Sequence, residues 1–281
     1  MRTIDFKPGQ RQFALNLVLG ISAFVTLSLL SPAMAQTSPA PTLGIQHSND
    51  RATATTPTWT ALPGAGKDIG AGGPSGALWV ISTMTAANGF SVFRWANNAW
   101  MGVPSTGAER LDVDPQGNAW IVDNKGAVQR HDGSKWVPVA GIHASDIGVG
   151  ADGSVWAVGS QPFDAGGFGI YRANGSGWTQ MPGAAVRIDV DPRGAAWIVN
   201  KLGEVFRWGG NAWVAVLGIK ARDVGIGADG SVFVLGVDDK VYRWSGSAWV
   251  AREGSARNIT VNAAGVPYAV TDAGVIYQGV K

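Results

Sequence analysis

Apolar residues along this chain come in short runs, each broken by Gly, Asp-Gly, Asn-Lys or Pro, and after residue 35 no stretch sustains a 3.6-residue period. Such punctuation predicts strands rather than helices. One segment illustrates the pattern. Arg110–Asp114 alternates in polarity and stops at Pro115-Gln116-Gly117, a turn signal. Asn118–Val122 reads as a second strand, and Asn124-Lys125-Gly126 turns it into a third, Ala127–His131. Asp132-Gly133 then predicts a two-residue hairpin into Lys135–Val139. Four antiparallel strands thus fill one short segment.

The segment recurs. Trp stands at 59, 100, 136, 178, 213 and 249, at intervals of 41, 36, 42, 35 and 36 residues. A second aromatic recurs as Trp79, Trp120, Trp156, Trp197, Phe233 and Tyr268. A third element is a short basic strand holding Arg94, Arg130, Arg172, Arg207 or Arg243. Four strands in about 36 residues is the size of one propeller blade. The last unit supplies only three strands, near Asn258–Asn262, Val266–Thr271 and Gly274–Val280, while the fragment Thr58–Pro63 stands alone before the first complete unit. The expected fold is therefore all-β: a six-bladed propeller of four-stranded antiparallel blades, closed by the N-terminal strand (about 58–63) completing the last blade. An open solenoid is the alternative; the matched fragments at the two ends argue against it.

A double period lies inside the single one. Units one, three and five carry Asp68-Ile69-Gly70, Asp146-Ile147-Gly148 and Asp223-Val224-Gly225, whereas units two and four carry Leu111-Asp112-Val113-Asp114 and Ile188-Asp189-Val190-Asp191. Alignment places Asp68, Arg110, Asp146, Arg187, Asp223 and Asn258 at one position. The expectation is a structural ring of alternating charge on the innermost strands. Asp112-x-Asp114 and Asp189-x-Asp191 lack the spacing of a calcium loop and read as turn-forming carboxylates, so no metal is expected there.

The run Asp-Ile-Gly-Val-Gly-Ala-Asp-Gly-Ser-Val-Trp (Asp146–Trp156), followed by an aromatic-Arg strand and Trp-x-x-Val/Met-Pro, resembles tectonin repeats. The likeness runs from Trp59 to the C-terminus and is best in units three and five. Tectonin-type propellers include lectins for microbial glycans, so the resemblance implies a propeller fold and sugar binding.

Composition narrows the setting. Arg2, Lys7 and Arg11 precede the uncharged apolar stretch Leu15–Leu30, and Ala33-Met34-Ala35 offers a small-x-small cleavage site. Residues 1–35 read as a signal peptide of bacterial type, an uncleaved anchor being the alternative, and the chain is expected in the periplasm or the medium. Residues 36–57, rich in Thr, Ala and Pro, read as a flexible linker, leaving 58–281 for the propeller. Removing the leader's three basic and one acidic residue leaves 19 charges of each sign. The mature chain is neutral, which speaks against nucleic acid as a partner, and no membrane span is expected in it. With no Cys there are no disulfides, and three scattered His (His47, His131, His143) do not suggest zinc.

Binding is expected of turns rather than of the repeated aromatics, which read as core; the third-strand Arg residues are expected to stack on them. Turns two-to-three share one face with the connections between units. Two of them are longer: Ser82–Ser91, with Asn88 and Phe90, and Ser160–Gly169, with Phe163, Asp164 and Phe168. The short equivalents hold Asn124 and Lys125, Asn200 and Lys201, and Asp238. Rings beside amides and charges suit sugars, whose C–H faces stack while hydroxyls take hydrogen bonds. A carbohydrate or glycoconjugate is the expected partner, bound at several sites; a scaffold for another protein is the alternative. No unit interrupts the repeat with a His, Glu or nucleophile cluster. The expectation is a protein that is not an enzyme and needs no cofactor.

Overall fold

In the computed structural model the described residues are 58–281. The signal peptide and linker expected at 1–57 lie outside them. Among the described residues there are 22 strands and no helix. The first group is β1 (Trp59–Gly72), β2 (Ala77–Ala86), β3 (Gly89–Ala96) and β4 (Ala99–Ala108). The second group is β5 (Arg110–Val113), β6 (Ala119–Val122), β7 (Ala127–His131) and β8 (Trp136–Val149). β9 (Val155–Asp164), β10 (Gly167–Ala173) and β11 (Trp178–Ala185) follow. Next come β12 (Arg187–Val190), β13 (Ala196–Val199), β14 (Val205–Trp208) and β15 (Trp213–Ala215). The last strands are β16 (Ala221–Ile226), β17 (Val232–Gly236), β18 (Lys240–Trp244), β19 (Trp249–Ser255), β20 (Asn258–Val261), β21 (Pro267–Val270) and β22 (Val275–Gly279).

All pairings are antiparallel. β12–β15 and β16–β19 form two four-stranded sheets, and the other strands form two seven-stranded ones. Each larger sheet turns on one long strand shared by two four-stranded sets. The first half of β1 pairs with β22, Trp59 opposite Gly279 and Ala61 opposite Tyr277, and its second half pairs with β2. β8 likewise pairs with β7 through its first half and with β9 through its second.

The core explains the apolar runs. Buried side chains fall into six clusters, each made where one four-stranded set faces the next; Trp156, Val158 and Ile170, for example, meet Ile188, Val190 and Ile198. A sheet covered on both faces needs apolar residues at successive positions, as in β13, Ala-Trp-Ile-Val, where all four are buried. The same closeness demands glycine. A Cβ on Gly225 would sit 2.8 Å from the Ile259 oxygen and 2.9 Å from the Thr260 Cα, and backbone offers no rotamer by which to yield.

The aromatics tie neighbouring sets together. Five of the six outer-strand indoles donate to the preceding outer strand: Trp100 to the Pro63 carbonyl, Trp136 to Pro104, Trp178 to Ala140, Trp213 to Pro182 and Trp59 to Glu253, at 2.6–3.2 Å, while that of Trp249 is buried without a partner. Inner Trp79 and Trp156 donate to the Gly117 and Gly194 carbonyls at 3.0 and 3.2 Å. Arg94, Arg172, Arg207 and Arg243 stack on Trp79, Trp156, Trp197 and Phe233, 5.3–5.9 Å from the ring centres.

Two local expectations are corrected. Asp132-Gly133 opens a four-residue turn, because His131 pairs with Trp136 and the Asp132 carboxylate accepts the Ser134 and Lys135 amides. The longer segments at Ser82–Ser91 and Ser160–Gly169 are not loops but extensions of the β2–β3 and β9–β10 hairpins, with Thr85 opposite Phe90 and Asp164 opposite Gly167. Continued ladder pairing satisfies backbone groups that a loop would leave to water.

Candidate functional site

The innermost strands meet along one line, and the residues there form two layers. Asp68, Arg110, Asp146, Arg187, Asp223 and Asn258 all line one cavity of about 30 Å³, room for about one water molecule. Arg110 lies 3.9 Å from the Asp68 carboxylate and Arg187 lies 3.6 Å from that of Asp223. The aligned sequence positions are thus brought together. Their carboxylates also bond to backbone: Asp68 accepts the Leu111 amide (3.0 Å), Asp146 that of Ile188 (2.9 Å) and Asp223 that of Ile259 (2.9 Å).

The second layer was not legible as such. Asp114 and Asp191 do hold turns, accepting the amides of Gln116 and Asn118 and of Arg193 and Ala195. Asp112 and Asp189, grouped with them by sequence, instead point inward and accept the Val149 and Ile226 amides at 2.6 Å. The Ala71 amide donates to the Thr260 hydroxyl at 3.2 Å. Each innermost strand therefore hands one side-chain acceptor to the next, two sets of links alternating between the layers. The signal that would have found this is the double period itself, in which Asp shifts by two positions between odd and even units.

Burial dominates the electrostatics. It pushes the Asp68 carboxyl up to about 6, against the pull of Arg110, and Asp223 up to about 7, against Arg187. Asp112 is raised to about 7 by burial, with only backbone amides opposing, and Asp189 well above the usual range by burial and then by the charge of Asp112. Replacing Arg187 by Met removes the cation beside Asp223. The melting temperature should fall, and by more at pH 8, where the carboxylate is ionised, than at pH 5. The loss should stay below the ~3–5 kcal/mol of a fully buried pair, because the Arg187 side chain keeps 26% exposure. A thermal melt unchanged at both pH values would show that the cation contributes nothing.

Above this line, at the end carrying the hairpin turns, opens a basin of about 410 Å³. Asn124, Lys125 and Phe168 of the expected ligand set line it, with Ser145, Ser160, Arg110 and Arg187. The hairpins hold its wall: the Asn124 amide donates to the Asn88 carbonyl at 3.1 Å, and the Lys201 amide to Gly166 at 2.7 Å. The remaining candidates lie elsewhere. Phe90 is half-buried against the core, with the Lys67 ammonium 3.8 Å above its ring. Phe163 is 52% exposed and Asp164 caps the Gly166 amide. The Asn200 side chain is used within its own turn, bonding Leu202, Glu204 and the Glu204 carboxylate. Lys201 is exposed, and Asp238 accepts the Tyr242 hydroxyl at 2.8 Å.

Comparison with known proteins places this geometry. Residues 107–192 match the tectonin domain. No curated protein matches by sequence. A gluconolactonase from Xanthomonas campestris superposes with a TM-score of 0.61 at 14% identity, over 79% of this chain and 89% of that one. A second structure, described as a gluconolactonase, gives 0.57 at 13% identity over 78% and 90%. YCF48 bound to D1 peptide gives 0.54 at 12% identity over 80% and 98%. The expectation that the chain is no enzyme is overturned here. Its argument was the lack of a His, Glu or nucleophile cluster interrupting the repeats, yet the fold is one that gluconolactonases share. At such identities the likeness is one of fold. Residues 107–192 thus match a tectonin domain, and the described residues are all-β with the fold of β-propeller proteins.

Proposed function

We propose that this chain is an exported carbohydrate-binding propeller, six four-stranded blades closed into one ring, which takes saccharides in the basin at the mouth of its axis. The ring reading is supported by the pairing of β1 with β22 and by the link from Ala71 to Thr260. The observation that carries the binding reading is the basin itself, where an amide (Asn124), two hydroxyls (Ser145, Ser160), an aromatic ring (Phe168) and cations converge on one concavity. Saccharides need this mixture: polar groups for hydroxyls and a ring for the C–H face. The hairpin tips beyond the basin, with Phe163, offer further contacts, and several weak contacts on one rigid body add avidity on a sugar-coated surface.

A glycan array probed with the full chain tests this. Defined saccharides should be captured, and Asn124→Ala should weaken capture about fivefold, the worth of one hydrogen bond, without changing the melt. Asn124 is exposed and its side chain makes no hydrogen bond among the described residues, so the fold does not depend on it. A blank array would refute the reading. A second reading, that the same face holds a peptide, is favoured by the likeness to a structure with a bound peptide; recovery of one defined protein by pull-down beside a blank array would select it.

A further inference from the structure

The basin is charged unevenly. Lys67, Arg110, Lys125, Arg187 and Arg257 line it, against two acids, Glu109 and Asp123. Asp123 is already engaged, since one of its oxygens accepts the Lys125 and Ala127 amides at 2.9 and 2.8 Å. The two arginines at the floor are under-used. A guanidinium carries five N–H donors and is always charged. The Arg110 side chain makes no hydrogen bond among the described residues; Asp68 stands 3.9 Å from it, and it is only 18% exposed. Arg187 spends one donor on the neighbouring Val186 carbonyl at 2.7 Å, and its buried Nε makes no hydrogen bond, standing 3.6 Å from the Asp223 carboxylate. Both side chains line the narrow axial cavity and the wide basin alike. The side chains, 18% and 26% exposed, thus stand at the floor of the basin with guanidinium donors to spare.

Partly buried donors without acceptors cost free energy until something accepts from them. The acceptor that fits a planar fork is an oxyanion, taken by two parallel N–H···O bonds. Lys125 and Arg257, both exposed at the rim, add long-range attraction of the same sign. From this we propose that the basin is selective for saccharides bearing an oxyanion, a carboxylate or a phosphate, with Arg110 and Arg187 holding the anionic group and Asn124, Ser160 and Phe168 facing the sugar ring. This rests on the carbohydrate-binding reading above and names the class of sugar.

Calorimetric titration of the full chain with glucuronate, glucose 6-phosphate, glucose and sulfate separates the possibilities. At least one of the two anionic sugars should bind about tenfold or more tightly than glucose, a difference of about 1.4 kcal/mol. The double variant Lys125→Ala, Arg257→Ala keeps the floor and the core intact. It should weaken the anionic sugar about threefold to tenfold, as expected for two exposed charges, and glucose by less. Equal affinity for charged and neutral sugars, or a double variant that binds the anionic sugar as tightly as the parent, overturns the anion selectivity and leaves carbohydrate binding standing. Sulfate binding with no sugar bound overturns carbohydrate binding and this class assignment, leaving a free-anion site. No binding of any of the four overturns both.

Discussion

Replacing Trp156 by Ala is expected to lower stability by about 3–5 kcal/mol, a fall in melting temperature of roughly 6–20 °C for a domain of this size. Trp156 is fully buried, and its ring lies between two sheets, 6.1 Å from the Trp208 ring and 6.2 Å from that of Trp213. Arg172 stacks at 5.3 Å on its face. Deletion leaves a void lined by β-sheet backbone, which cannot close around it. A second substitution separates packing from hydrogen bonding. Trp156→Phe removes the bond from the indole to Gly194 as well as ring volume, whereas Trp120→Phe removes an indole N–H that is buried without a partner. The Trp156 variant should therefore cost about 1 kcal/mol more than the Trp120 variant. Thermal and denaturant melts of the three proteins check this, and equal losses for the two phenylalanine variants would show that the inter-sheet bond is idle.

Stability is expected to rise as pH falls from 8 to 5. Asp68, Asp112 and Asp223 have folded-state values near 6, 7 and 7, above the 3.8 of an unperturbed carboxyl, and Asp146 and Asp189 are displaced in the same direction. A raised value means that the folded chain binds protons that the unfolded chain has released. The resulting stabilisation is fully present below the unfolded value and is lost as pH rises through about 6 to 7. Each tenfold difference in proton affinity is worth about 1.4 kcal/mol, so one such group is enough to be seen. His131 opposes the trend, its value lowered by burial, because it must lose its proton to fold. One histidine stands against five carboxylates. The exposed acids with lowered values, Asp132 and Asp238 among them, act only below about pH 4. A melting temperature that is flat or falls between pH 8 and pH 5 would mean that the axial carboxylates are solvated. Asp112→Asn should shrink the effect if it is carried there.

The measured response also bears on how the inner strands hold together. Ionised, the two layers would carry five carboxylates against two guanidiniums. The links from Asp112 and Asp189 to the next strand do not need that charge, since an un-ionised carboxyl still has oxygens to accept an amide. Acidification therefore relieves repulsion while keeping the connections between units.

Strand content, the repeat, the equivalence of Asp68, Arg110, Asp146, Arg187, Asp223 and Asn258, and the likeness to tectonin repeats were determined by the sequence alone, because periodic packing forces periodic residues. Two-sided burial makes every unit repeat its Trp, and the closeness of inner strands makes every odd unit repeat its Gly. Other features were decided only by tertiary structure. Asp112 and Asp114 are two residues apart and look alike as a pair, yet one reaches the next strand and the other folds back on its own turn; alternation in a strand sends them the same way, and only the position of the neighbouring sheet separates their partners. The long segments at Ser82–Ser91 and Ser160–Gly169 carry turn-like residues, but continue as hairpins because backbone pairing outweighs local preference. The basin joins Lys67, Asn124, Phe168 and Arg257 from four separate units. No local pattern records such a meeting, since it depends on how the sheets are arranged about their common line.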